Sequence, residues 1–275
     1  MLRPVEPPES LSNRWQGGNN GLMATNFRAL LVPASSRSRR LRRRYLRETR
    51  RPTHCLWFLL VLAGLHEALV LWVVQGSDPG RELLAQRLIQ SLLGWFGFVG
   101  SWVPGVVLVA VLLIWHRVKR DRWRVRWWVL PAMVGESLVL AVPLLVLSAL
   151  FAVGQGLGGA GLRAELVRAL GAGIYEELVF RLLLISGLAW LLTELVQLRH
   201  PMSLWVAVVL AALLFALCHF EPIGWEVFAW KPFAFRVAAG GYLSVIFVGR
   251  GLGVSSGCHV AYNLVLVWLR SGGGG

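Results

Sequence analysis

Three short motifs in the C-terminal part of the chain bring together residues that can carry out acid–base chemistry. Glu176, Glu177 and Arg181 form the motif E-E-x-x-x-R. Phe215 and His219 form F-x-x-x-H, and His259 and Asn263 form H-x-x-x-N. On an α-helix Glu177 and Arg181 share a face and can form an ion pair. Glu176 is turned away from that face, so it is left as an unpaired carboxylate of the kind that serves as a general base.

The other two motifs supply imidazoles and hydrogen-bond donors from separate apolar segments. His219 stands at the end of one such segment, while His259 and Asn263 share a helix face because they are four residues apart. A carboxylate that deprotonates water, together with donors that hold an oxyanion, would make a hydrolytic site. Taken singly, the motifs also fit structural roles: a buried salt bridge, an interfacial histidine and a hydrogen-bonded helix contact.

The segments that carry these residues are apolar enough to cross a membrane. Of the 275 residues, 56% are hydrophobic and 15% are charged, against about 25% charged residues in soluble proteins. Since a spanning helix needs about 20 apolar residues, we predict an all-α, polytopic transmembrane helical bundle of about seven spans (six to eight) that encloses a polar catalytic cavity. The candidate spans are 55–75, 94–115, 129–153, 168–197, 203–219, 232–249 and 253–269. The fourth is too long for one straight span and should tilt, protrude or break near Gly187.

The positive charge of the chain is concentrated in two places. Of the 28 Lys and Arg residues, 12 fall in residues 1–52 and 6 in residues 117–126. Basic segments stay in the cytoplasm and attract anionic lipid headgroups, so we predict a multi-pass protein of the plasma (inner) membrane with a cytoplasmic N-terminal tail. Because no nucleic-acid-binding module accompanies the Arg-rich tail, no nucleic acid partner is expected.

These patterns divide the chain into three parts. Residues 1–52 have little apolar periodicity and should form a flexible basic tail, although the run from Arg37 to Arg51 could instead form a helix on anionic headgroups. Residues 53–160 hold the first transmembrane helices. Residues 161–270 hold the catalytic transmembrane core.

A few remaining residues are expected to have structural roles. Three cysteines without a metal-knuckle spacing should be small core residues: Cys55, Cys218 and Cys258. Glu136 and the neighbouring pair His66 and Glu67 should make buried polar contacts between helices. The Gly-rich stretch 249–257 is predicted to be a loop or a close-packing point, because no strand precedes it as a phosphate-binding loop would require.

In their order and on their apolar helices, the three motifs resemble those of the CPBP group of intramembrane proteases. This group includes the CAAX prenyl endopeptidases and bacteriocin-processing or immunity proteins. The resemblance covers about residues 165–270. It implies that Glu176, helped by His219, activates a water for attack on a carbonyl of a peptide or lipidated-protein substrate.

The resemblance also implies roles for the other motif residues. His259 and Asn263 would stabilise the oxyanion, while Glu177 and Arg181 would hold the site together. Members of this group are generally treated as glutamate-dependent and metal-free. We therefore expect no cofactor.

Three alternatives remain open at the level of the sequence. Glu176, His219 and His259 could bind zinc with one position left for water, although the H-E-x-x-H helix of zinc proteases is absent. A non-catalytic membrane immunity or scaffold protein could share the fold. A proton-coupled transporter would also use buried Glu and His, but no clear inverted repeat supports that plan.

Overall fold

A computed structural model describes most of the chain, in the ranges 36–74, 103–151, 161–224 and 226–272. The chain forms two compact units, Met1–Arg44 and Tyr45–Gly275. The first described element is helix α1, Ser36–Glu48, which agrees with the helical alternative for Arg37 to Arg51. Of the flexible tail predicted over residues 1–52, residues 1–35 lie outside the described residues.

The second unit is a bundle of helices. Its elements are α2 (Pro52–Val74), α3 (Val103–Val118), α4 (Val129–Leu150), α5 (Leu162–Gly171), a π-helical segment (Ala172–Ile185), α6 (Ser186–Glu194), α7 (His200–Leu217), α8 (Trp230–Arg250) and α9 (Leu252–Gly272). No β-strand occurs in the ranges that the structure describes, so the predicted all-α fold is confirmed. The predicted spans overlap these helices, and their residues 75, 94–102 and 152–153 lie outside the described ranges.

Five of these helices are long and apolar enough to cross a membrane, namely α2, α4, α7, α8 and α9. Helix α3 is apolar but shorter, with 16 residues. The chain is therefore a multi-pass membrane protein.

The long segment predicted over residues 168–197 is continuous but is not a regular α-helix. Helix α5, the π-helical segment and α6 follow one another from Leu162 to Glu194 without a loop. The expected break near Gly187 is wrong, because Gly187 lies within α6 and the irregular part is Ala172–Ile185. Backbone hydrogen bonds in a π-helix join residues five apart, and such segments are frequent at functional sites. This one carries the E-E-x-x-x-R motif.

Basic residues gather at one end of the bundle, which we call the basic end. It comprises residues 50–53, 117–126 and 249–251. Nη2 of Arg51 donates to Asp121 Oδ1 at 2.8 Å, and Oγ1 of Thr53 donates to Asp121 Oδ2 at 2.6 Å. Burial opposes ionisation of Asp121, but these hydrogen bonds outweigh it and lower its pKa to about 2. The Asp121 carboxylate therefore holds the start of α2 to the loop after α3.

The opposite end of the bundle, which we call the far end, carries the segment 218–229 between α7 and α8. Helix α8 ends at Arg250 in the basic end and begins at Trp230, so its 21 residues place Trp230 about 30 Å away. The far end also holds the start of α5, where the guanidinium of Arg163 lies 4.1 Å from the ring of Trp72 near the end of α2. The segment 218–229 is thus on the side away from the basic loops.

Glycines let α9 approach α4 closely. A Cβ atom on Gly253 would lie 2.5 Å from Cε of Met133, and one on Gly257 would overlap Oγ of Ser137. Gly251 has a φ of 92°, which favours glycine at the turn between α8 and α9. Of the two roles predicted for the stretch 249–257, a loop or a close-packing point, the close-packing point is confirmed, because residues 252–257 belong to α9.

The predictions for Glu136, His66 and Glu67 are confirmed, whereas the predicted core position of the cysteines holds for Cys55 and Cys258 but not for Cys218. Glu136 pairs with Arg250 at 2.6 Å and so joins α4 to α8. On α2, Nδ1 of His66 lies 3.2 Å from Oε1 of Glu67, which in turn accepts a hydrogen bond from the hydroxyl of Tyr175 at 3.3 Å. The three cysteines are free, and two of them are buried.

Candidate active site

Glu176 projects from the π-helical segment and lies between two histidines. Its side chain is 8% exposed. Oε1 lies 3.9 Å from Nε2 of His219, and Oε2 lies 3.9 Å from Nε2 of His259. These distances are longer than a hydrogen bond, but one water molecule can bridge either pair. The fold thus brings together three predicted site residues from three separate elements.

His219 is oriented by the end of α7. It follows Leu217, the last residue of that helix, by two positions, and its Nδ1 lies 2.7 Å from the carbonyl oxygen of Phe215. A carbonyl only accepts hydrogen bonds, so Nδ1 carries the proton and Nε2 can accept one from a water beside Glu176. Burial lowers the pKa of His219, and the carboxylate of Glu176 opposes that shift. We therefore assign a neutral imidazole at neutral pH.

Gly224 fixes the turn after His219, and the motifs gave no sign of it. A Cβ atom on Gly224 would overlap the main-chain carbonyl of His219 and lie 2.6 Å from the carbonyl oxygen of Cys218. The N–H of Gly224 donates to the carbonyl of Phe220 at 2.7 Å. Backbone atoms cannot move aside as a flexible side chain can, so this turn requires a residue without a Cβ.

His259 is oriented by Glu177, which lies 82 residues earlier in the chain. Nδ1 of His259 is 3.0 Å from Oε1 of Glu177, and the other carboxylate oxygen accepts a hydrogen bond from Ser255. The proton on Nδ1 therefore points to Glu177, and Nε2 faces Glu176. A carboxylate behind an imidazole fixes its tautomer and stabilises a second proton on the ring.

The predicted ion pair of Glu177 with Arg181 is present, at 3.2 Å. The guanidinium of Arg181 also lies 4.4 Å from the ring centre of Phe215, and that ring is 4.8 Å from the ring of His219. Phe215 therefore supports Arg181 on one side and His219 on the other. These contacts join all three motifs, because Glu177 also holds His259.

Asn263 lies one helical turn beyond His259 on α9 and is half-buried. Its Nδ2 donates to the carbonyl of Ala169 at 3.3 Å, which ties α9 to α5 and leaves the second N–H of the amide for another acceptor. Among the contacts of the described residues, none joins Asn263 to Glu176 or His219. The structure thus places Asn263 beside the site rather than in contact with its base.

The zinc set that the sequence left open consists of Glu176, His219 and His259. In the described part of the chain, no group of three His, Cys, Asp or Glu side chains is arranged to hold a metal ion.

A comparison with known protein families identifies this part of the chain. Residues 162–265 match the family model described as type II CAAX prenyl endopeptidase Rce1-like. The segment is an Rce1-like domain. The match spans 104 of the 275 residues, counting from 162 to 265 inclusive, and contains all seven motif residues. No curated protein and no solved structure matches the chain at a significant level.

The Rce1-like domain extends from the start of α5 into α9. This range includes every residue that contacts or supports Glu176 in the structure. The family implies a protease, and therefore a hydrolase of peptide bonds. The family match agrees with the resemblance to the CPBP intramembrane proteases found in the motifs.

Proposed function

We propose that this protein is an intramembrane endopeptidase in which Glu176 activates the attacking water. The observation that carries the proposal is the carboxylate of Glu176 between two imidazoles, with one Nε2 atom 3.9 Å from each of its oxygens. The protease family of the Rce1-like domain and the five helices that can cross a membrane support the same function. The substrate is a peptide or the peptide part of a lipidated protein.

Attack begins with a water molecule held between Glu176 and His219. Glu176 takes one proton of this water, while Nε2 of His219 accepts a hydrogen bond from the other O–H and orients the molecule. The water oxygen then forms a bond to the carbonyl carbon of the peptide. A buried carboxylate is suited to this step because few other waters compete for its oxygens.

The negative charge that develops on the carbonyl oxygen is held by His259 and Asn263. In the imidazolium form of His259, Nδ1–H donates to Glu177 and Nε2–H donates to the oxyanion. The amide N–H of Asn263 that is not bound to Ala169 is the second donor. One such donor typically contributes about 10²–10³-fold to the rate.

Breakdown of the intermediate restores the site. The C–N bond breaks, and the proton held by Glu176 passes to the nitrogen of the leaving amine. The products are a new carboxyl group and a new amine, and Glu176 returns to its ionised form. Water, the peptide and these side chains account for every atom and proton in the sequence of steps.

Peptide cleavage by the purified full-length protein tests this assignment. The wild-type and Glu176→Gln proteins are compared in phosphatidylcholine nanodiscs on a pool of short synthetic peptides, with new termini identified by mass spectrometry. An endopeptidase cleaves the pool only when the carboxylate is present. A non-catalytic immunity or scaffold protein with this fold cleaves nothing in either form.

Removal of metal ions is expected to leave the activity intact. Dialysis of the protein against a strong chelator should change the rate of peptide cleavage by less than about twofold, because no step requires a Lewis acid. The control is a zinc protease treated in parallel, which should lose its activity. Loss of cleavage after chelation, with recovery on adding zinc, would contradict the metal-free mechanism.

Access of water and substrate to Glu176 is proposed to be from the far end. Toward the basic end, Glu176 is followed by a layer of side chains that are at most 5% exposed, namely Glu177, Arg181, Phe215 and Ser255. His219 belongs to the far-end segment 218–229, and its side chain is 19% exposed. These buried side chains block access from the basic end, so water and substrate reach Glu176 past His219.

The charge distribution supports a cytoplasmic basic end. Residues 117–126 alone hold six basic residues, and Arg50 and Arg51 lie beside them. The described far end holds fewer basic residues, mixed with acidic ones: Arg163, Arg168, Lys231, Arg236 and Arg270 with Glu165, Glu221 and Glu226. Since basic loops are retained in the cytoplasm, the N-terminal tail is cytoplasmic and the catalytic entrance faces the other side of the plasma membrane.

The two lysines of the chain, Lys119 and Lys231, test this orientation. Both are exposed, the first at the basic end and the second at the far end. A membrane-impermeant amine reagent is expected to label Lys231 in intact spheroplasts and Lys119 in inside-out vesicles. Lys119→Arg and Lys231→Arg proteins identify each signal. Labelling of Lys119 in intact spheroplasts would show that the orientation is the reverse.

A further inference from the structure

The residues that follow His219 form a turn that closes on itself through its backbone. We call residues 219–224 and 226 the His219 turn. The N–H of Glu226 donates to the carbonyl of His219 at 3.3 Å, and the N–H of Glu221 donates to the carbonyl of Glu226 at 2.9 Å. Because these bonds join the two ends of the turn, a displacement of Glu226 also displaces the backbone of His219.

An ion pair holds this turn to α8. Nη2 of Arg236, in the second turn of α8, lies 2.5 Å from Oε1 of Glu226. The side chain of Arg236 is 8% exposed, whereas that of Glu226 is 50% exposed. The guanidinium also lies 5.2 Å from the ring centre of Phe220, the residue after His219. Arg236 therefore contacts the His219 turn twice, through the carboxylate of Glu226 and through an aromatic ring.

Helix α8 gives this ion pair a fixed support. At Gly240 it lies so close to α7 that a Cβ atom would be 3.0 Å from Cδ1 of Phe215 and 3.4 Å from Cα of Ala212. Phe235, the residue before Arg236, is 1% exposed in the hydrophobic core. A close-packed helix resists displacement. Arg236 is therefore the fixed partner, and the half-exposed Glu226 is the one that it holds.

His219 needs such support because α7 ends before it. Leu217 is the last residue of that helix, and backbone beyond a helix end is no longer held by the regular helical hydrogen bonds. The contact of Nδ1 with the carbonyl of Phe215 sets the direction of the imidazole ring. The position of the His219 backbone depends on the turn that follows.

We propose that Glu226 is a positioning residue, whose ion pair with Arg236 holds the His219 turn so that Nε2 of His219 lies beside Glu176. The inference rests on the proposed endopeptidase function, in which His219 orients the attacking water. Glu226 and Arg236 act through His219 and belong to none of the three motifs. Without the ion pair the turn shifts, and a misplacement of about 1 Å can cost about 10²-fold in rate.

Steady-state kinetics of the full-length protein in phosphatidylcholine nanodiscs test this role. One peptide that the wild type cleaves is taken from the pool of short synthetic peptides. Glu226→Gln and Arg236→Gln should lower kcat roughly 10–100-fold and leave KM within about twofold, because the water is misplaced while the peptide binds as before. A Glu226→Gln protein with the wild-type kcat would contradict the proposal.

Glu221→Gln is the matched control for Glu226→Gln. Glu221 belongs to the same turn and carries the same charge, and its side chain is exposed. In the described part of the chain this side chain forms no ion pair. Glu221→Gln should therefore keep the kcat and the KM of the wild type.

Conservative variants separate the charge of Glu226 from its size. Glu226→Asp keeps the carboxylate on a shorter side chain, so its kcat should exceed that of Glu226→Gln, although glutamine matches the size of glutamate. Variants at the half-exposed Glu226 keep the test valid where a substitution of the buried Arg236 prevents folding. A Glu226→Gln protein at least as fast as Glu226→Asp would show that no ion pair holds the turn.

The reactivity of Cys218 measures the position of the turn without any cleavage. Cys218 directly precedes His219 and is half-buried, whereas the other two cysteines of the chain, Cys55 and Cys258, are buried. N-ethylmaleimide should alkylate Cys218 roughly threefold or more faster in Glu226→Gln than in the wild type or in Glu221→Gln, because the turn opens more often. Cys218→Ser identifies the signal.

The two measurements distinguish failure of this inference from failure of the enzyme assignment. Faster alkylation of Cys218 in Glu226→Gln, without any peptide cleavage by the wild type, keeps the ion pair as the support of the turn and rejects the endopeptidase. Cleavage by the wild type, with kcat and alkylation both unchanged in Glu226→Gln, keeps the endopeptidase and rejects the positioning role.

Discussion

Peptide cleavage by the Glu176→Gln protein is expected to be about 10²–10⁴-fold slower than cleavage by the wild type. Glutamine keeps the size of the side chain and one hydrogen-bonding oxygen, but it cannot take a proton from water. The rate is measured on the pool of short synthetic peptides at saturating protein, with new termini counted by mass spectrometry. The loss should appear at every cleavage site in the pool, because one base serves all of them.

Glu194→Gln is the matched control for this substitution. Glu194 ends the same continuous segment that carries Glu176, but its side chain is exposed at the end of α6. The control should retain the wild-type rate, and the thermal unfolding of both variants should match that of the wild type. A Glu176→Gln protein that cleaves at the wild-type rate would remove the basis of the enzyme assignment.

Gly173→Ala is expected to have the second largest effect, through the distance between the π-helical segment and α9. A Cβ atom on Gly173 would overlap Cγ2 of Val260 and lie 2.7 Å from its main-chain nitrogen. The side chain of Val260 can rotate but its backbone cannot, so the two elements must separate. Because Val260 follows His259 directly, this shift moves His259 away from Glu176. A misplacement of about 1 Å can cost about 10²-fold in rate, and overpacking typically costs about 1–3 kcal/mol in stability.

Gly187→Ala provides the comparison, because nothing lies within 4 Å of a Cβ atom at Gly187. Both glycines belong to the continuous segment that begins at Leu162, and Ala is the better helix former by about 1 kcal/mol. Gly187→Ala should therefore keep both the rate and the midpoint of thermal unfolding, or raise the latter. If Gly173→Ala behaves in the same way, close approach at Gly173 does not set the geometry of the site.

Local spacing was sufficient to predict several contacts of the site. The ion pair between Glu177 and Arg181 and the separation of Glu176 from it both follow from positions on one turn of helix. Each of these predictions holds even though Glu176 and its neighbours form a π-helix, because adjacent residues still point in different directions.

Contacts between distant segments were not predictable in the same way. The bond of Glu177 with His259 and the stacking of Arg181 on Phe215 join residues far apart in the chain, which no periodicity relates. The turn at Gly224 was missed for a similar reason, since its need for glycine arises from the backbone of His219.

The amino-acid sequence by itself determined the membrane class, the all-helical bundle and the identity of the candidate catalytic side chains. The length of an apolar segment and the spacing of residues within it are properties of that segment alone, so both can be recognised without knowing the fold. Only the tertiary structure decided that Glu176 lies between His219 and His259, and that Glu177 supports His259. These features depend on how closely separate helices pack, and that packing is set by glycines and buried polar contacts between residues distant in the chain.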